Sequence, residues 1–92
     1  MSEQVLDVSA LEAPEPLMQA IEALQMLPSG DWLRLYHRMA PCQLYAWMAE
    51  QGFASDSRRG KGGCEVFIWR EADGEAATQA QSAAAVLPAW QD

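Results

Sequence analysis

Apolar and polar positions along the first seventy residues follow two periods, and each change of period marks an element. Gln4-Val5-Leu6-Asp7-Val8 alternates residue by residue, which predicts a short strand with Leu6 and Val8 toward a core and Val5 and Asp7 away from it. Pro14 and Pro16 then sit where a first helical turn tolerates proline, and Glu12 and Glu15 suit the positive end of a helix. Leu17, Ile21 and Leu24 recur at helical spacing, with Ala20 and Leu27 alongside, until Pro28-Ser29-Gly30 stops the run. Asp31 to His37 returns to strand period, with Leu33, Leu35 and His37 on one side and Trp32, Arg34 and Tyr36 on the other. Pro41 opens a second helix whose Leu44, Tyr45, Trp47, Met48 and Ala49 form a broad apolar surface, and Gly52 suits a left-handed cap. Phe53 to Arg59 reads as a polar strand. A glycine-rich turn joins it to Cys64–Arg70, where Cys64, Val66 and Ile68 alternate with Glu65, Phe67 and Trp69.

The order β-α-β-α-β-β predicts an α/β two-layer sandwich, because right-handed crossovers put both helices on one face of a mixed four-stranded sheet. Residues 1–70 make this domain, and 71–92 form an acidic, Ala- and Gln-rich tail. The composition of the tail favours disorder, with a helix over Glu75 to Val86 as the alternative. With helices on one face only, the other face displays Trp32, Arg34, Tyr36, Phe67 and Trp69. The four rings Trp32, Tyr36, Phe67 and Trp69 then call for a homodimer or a protein partner, unless the tail folds back with Trp90 as its anchor.

Composition narrows the classes. A chain of 92 residues builds one modest core, no run approaches the ~18 apolar residues of a membrane span, and the start lacks the pattern of a signal peptide, so the cytoplasm is the expected location. The net charge of −7 disfavours nucleic acid. Residues 1–30 hold Glu3, Asp7, Glu12, Glu15 and Glu22 with no base, while all six basic residues lie between Arg34 and Arg70. This asymmetry suggests a surface for an anion or acidic partner, or else a solvated rim around Arg58-Arg59-Gly60-Lys61. Gly60-Lys61-Gly62-Gly63 lacks the spacing of a phosphate loop and reads as a hairpin turn.

Few residues offer chemistry. Cys42 falls in the first turn of the second helix just after His37 and Arg38, a field that favours thiolate, so it is the candidate reactive thiol; an inert helix-end cysteine is the plainer alternative. Cys64 faces the predicted core. His37, the only histidine, ends a strand where ligand-binding groups gather in α/β sheets. No carboxylate or second histidine is spaced to complete a catalytic set, and Cys42, Cys64 and His37 fall short of a zinc signature. No cofactor is called for.

The stretch Leu6-Asp7-Val8-Ser9-Ala10-Leu11-Glu12-Ala13-Pro14-Glu15-Pro16-Leu17 resembles the opening strand and helix start of the TusA/SirA-like sulfur-carrier proteins, a likeness that runs over roughly residues 5–70. Those proteins carry Cys-Pro-x-Pro, whose cysteine accepts sulfur as a persulfide. Here the motif is Ala13-Pro14-Glu15-Pro16, and alanine offers no nucleophile. This version, with the Leu44-Tyr45 helix start and the Gly52-Phe53 junction, is similar to the cysteine-less branch known as domain of unknown function 2249. Members of that branch often show His-Asp-Pro before the second helix, where this chain has Met39-Ala40-Pro41. The resemblance implies the same sandwich and a link to sulfur or redox metabolism, and neither His37 nor Cys42 inherits a family role by position. The helix start and the nearby basic residues suggest a non-catalytic binding or adaptor module that meets its partner or a small anion through Pro14, Glu15, Pro16, His37 and Arg38. A sulfur or redox relay through Cys42 is the alternative. The occurrence of relatives near nitrogen-oxide respiration adds a metal-linked or nitrogen-oxide-responsive domain as a further one.

Overall fold

The computed structural model describes residues 2–91, so Asp92, counted above in the acidic tail, lies outside it. The chain runs β1 (Glu3–Asp7), α1 (Glu15–Gln25), β2 (Trp32–His37), α2 (Cys42–Gln51), β3 (Phe53–Gly60), β4 (Gly63–Arg70) and α3 (Gly74–Ala84). The strands form one mixed sheet in the order β1-β2-β4-β3. β1 lies parallel to β2, and β4 runs antiparallel to both β2 and β3. The α/β sandwich expected from the hydrophobic pattern is therefore present, and the strand phase is the one the alternation predicts. Leu33, Leu35, Cys64, Val66 and Ile68 join Ala20 and Leu24 of α1 and Leu44 and Met48 of α2 in one buried core. Gly52 ends α2 with φ 80°, a left-handed conformation that glycine adopts without steric cost.

The other face is closed, which corrects the expectation of an open aromatic surface. α3 lies across it. Ala76, Ala80 and Ala84 recur every fourth residue and form a second buried cluster with Trp32, Phe67 and Trp69. The alanine methyls let the helix approach the flat rings closely, and Trp32 and Phe67 sit with centroids 5.9 Å apart. Three of the four residues proposed as an interface are thus interior to this chain, and only Tyr36 stays half-buried. The tail expected to be disordered is ordered because those rings give it somewhere to bury apolar area.

Asp73 places α3. Its carboxylate accepts from the Ala76 N–H at 3.1 Å as the helix N-cap and from the Gly30 N–H at 2.7 Å in the α1–β2 loop. The Ala76 bond and then the Gly30 bond hold its carboxyl below the usual carboxylate range. A depressed folded-state pKa contributes stability that is present above the unfolded value of ~3.9 and is lost as pH falls through the folded one. We expect Asp73→Asn to flatten the acid side of the stability profile and to raise amide exchange across residues 74–84 roughly five-fold, measured by hydrogen exchange at pH 7.

Trp90 does not anchor α3 on the aromatic face. After α3 the chain turns back along β3, where the Arg59 N–H donates to Pro88 O at 2.8 Å and the Trp90 N–H to Ser57 O at 3.1 Å. Trp90 packs against the core on the α1/α2 side, with the Arg59 guanidinium 4.8 Å from its ring centre. Arg58 is held by Asp56 through two bonds and donates to Leu87 O at 3.0 Å. Both arginines therefore tether the C-terminal segment.

Candidate functional site

Because β1 and β2 are parallel, both release the chain at the same end of the sheet, and the helices that follow begin there side by side. Between the two helix starts lies a cleft of about 380 Å³. Ala13, Pro14, Pro16 and Leu17 form one wall, Met39, Ala40, Pro41, Cys42, Gln43 and Leu44 the other, and Leu35, His37 and Arg38 come from the end of β2 and the turn after it. Pro14, Pro16, His37, Arg38 and Cys42, named from the sequence as separate candidates, are brought together. Glu15 is not: it lines a different groove, between α1 and β1.

The walls are mostly apolar, and among the described residues no acidic side chain lines the cleft. Arg38 is exposed, and its guanidinium donates to Leu11 O at 3.1 Å, which ties the β1–α1 loop to the β2–α2 turn. His37 Nδ1 accepts the Met39 N–H at 3.2 Å, which places the proton of the neutral ring on Nε2. Burial, and then the charge of Arg38, push the imidazole below its ordinary pKa, so His37 is a neutral donor near pH 7 and Arg38 carries the cleft's positive charge. Cys42 is exposed at the first position of α2, and Cys64 is buried. Tyr45, one turn into α2, hydrogen-bonds Ser57 on β3, and burial raises its pKa.

Gly63 sets the turn that carries His37 and Arg38. Its φ is 136°, and an added Cβ would stand 2.7 Å from Arg38 O and 2.9 Å from His37 O, both backbone atoms. The β3–β4 hairpin therefore closes directly onto the end of β2. Gly63→Ala is expected to cost about 1–3 kcal/mol in urea unfolding and to shift the His37 ring resonances as the turn moves.

Among the described residues no three His, Cys, Asp or Glu side chains come together in an arrangement that would hold a metal ion, and no helix is long and apolar enough to cross a membrane. Apart from Cys42, the Met39–Leu44 wall was missed by sequence reasoning, although its position after His37, at the carboxyl end of a parallel strand, was the available signal. A scan against protein-family models gives no match, and neither do comparisons with curated proteins and with solved structures. The fold and the cleft thus define the chain as a small α/β domain with a helix-start cleft.

Proposed function

We propose that this chain is a non-catalytic binding module of the TusA-like kind, which holds a small anion with an apolar body in the cleft between the starts of α1 and α2. One observation carries the reading: Ala13, Pro14 and Pro16 converge with His37 and Arg38 on an apolar cleft that no acidic side chain lines among the described residues. Arg38 and the first-turn N–H groups of Gln43 and Leu44 in α2 meet the charge, the neutral Nε2–H of His37 adds a donor, and the prolines and leucines cover the apolar part. With alanine at position 13, sulfur transfer from that position has no nucleophile.

Titration with octanoate, followed by amide shifts of labelled protein, tests this. Shifts confined to residues 13–17 and 35–44 are expected, with Arg38→Gln weakening binding about tenfold. Octanol binding as well as octanoate, or no shifts at millimolar octanoate, overturns the reading. The exposure of Cys42 on the same cleft favours a second reading, a sulfur or redox relay through this thiol. It predicts that polysulfide treatment adds one sulfur to the intact mass of the parent and of Cys64→Ser, but not of Cys42→Ser; equal gain by all three refutes it.

A further inference from the structure

The two edges of the sheet are treated differently. The outer edge of β3 is covered by the chain's own C-terminal segment, through the Pro88 and Trp90 bonds to Arg59 and Ser57. Among the described residues β1 pairs with β2 alone, so its outer edge presents unpaired backbone donors and acceptors. No proline, lysine or bulge blunts that edge, and Val5 is 57% exposed on it.

Beside this edge, between β1 and α1, runs a groove of about 430 Å³ with Leu6 and Ala23 at its floor and Met18 and Met26, 58% and 76% exposed, along its side. Glu15 and Glu22 rim it. On the opposite face of β1 stand Glu3 and Asp7. The first is shared with Arg34 at 3.4 Å and the second is held by Ser9 donors at 2.6 and 2.9 Å. A strand laid against β1 would send alternate side chains into the methionine groove and the others toward Glu3 and Asp7.

We propose that the β1 edge is a docking surface for an extended segment of another protein, alternating apolar and basic residues, which joins the sheet as a fifth strand. Backbone bonds to β1 supply part of the affinity, methionine side chains adapt to the apolar residues, and the acids select for lysine or arginine. A second copy of this chain is the wrong occupant. Paired edge to edge it sets acidic β1 and α1 surfaces against each other, and its basic β3 edge is already covered by its own tail.

The test uses a labelled peptide of about ten residues alternating valine and lysine, read by fluorescence anisotropy and by amide shifts. Binding should perturb residues 3–7 and 15–26 and leave residues 38–44 unmoved. A valine–glutamate peptide should bind at least about tenfold more weakly, as should a valine–lysine peptide methylated at alternate backbone nitrogens, and affinity should fall with salt. Met18→Gln with Met26→Gln, both at exposed positions, removes apolar contact without changing charge and should cost about tenfold with an unchanged circular dichroism spectrum. Equal binding of the methylated peptide, shifts centred on the helix-start cleft, or a dimer through β1 in sedimentation would each overturn the proposal, as would no binding at all.

Discussion

Ala80→Glu is expected to unseat α3 and to remove a large share of the stability of the whole domain. Ala80 is fully buried, midway along the stripe that meets Trp32, Phe67 and Trp69. Glutamate there adds methylenes and a charge at a fully buried position packed against aromatic rings, so the helix must either leave the sheet or bury a carboxylate. Either route costs about 3–5 kcal/mol, because leaving exposes the aromatic cluster and staying strands a charge. Chemical unfolding measures the loss, and hydrogen exchange distinguishes the routes. Protection should vanish over residues 74–84 first, tryptophan emission should shift to the red as Trp32 and Trp69 meet water, and the uncovered face should promote self-association. Ala80→Gly provides the contrast. It keeps the seat free of bulk and charge and should cost only about 1 kcal/mol, through helix propensity. A similar loss for both variants would mean that α3 is held by its propensity and caps rather than by the aromatic seat.

The legibility of the sandwich in the sequence and the opacity of its third layer have one physical origin. β2 and β4 alternate large apolar residues with distinct neighbours, so Leu33, Leu35, Val66 and Ile68 declare a core face on their own. α1 does so through Ala20 and Leu24, and Gly52 marks the end of α2 by the backbone conformation it takes. α3 has only alanine on its buried stripe, and alanine is as acceptable to water as to a core, so its pattern carries little contrast. What specified its docking was the opposite surface: rings on the free face of a sheet require a cover, and small residues fit flat rings. The members of the cleft were legible as chemical types at the ends of elements. Their convergence depended on β1 and β2 being parallel, and the Met39–Leu44 wall follows from where the chain leaves β2. The buried Glu65 was placed on the correct face but without its partner, since the pair forms diagonally across β2 and β4.

That pair supports the second large effect. Glu65 is 4% exposed, and Oε1 of its carboxylate accepts from Nε and Nη2 of Arg34 at 3.0 and 2.8 Å. The same guanidinium lies 5.0 Å from the centre of the Phe67 ring and reaches Glu3 at its outer side, so one residue joins β1, β2 and β4. In Arg34→Met the aliphatic contacts survive while the carboxylate stays behind in a low-dielectric setting. The expected cost is about 3 kcal/mol, toward the lower end for a broken buried pair because the Arg34 side chain keeps 24% of its surface in water. Adding Glu65→Met to that variant should return stability to within about 1 kcal/mol of the parent, since two apolar side chains of similar volume refill the site without a stranded charge. Urea unfolding of the parent, the two single variants and the double variant closes the cycle. Additive losses would show that Arg34 and Glu65 act through separate packing. Recovery in the double variant would show that the ion pair chiefly compensates its own burial, and that Arg34 stabilises the sheet by neutralising Glu65 rather than by bridging its strands.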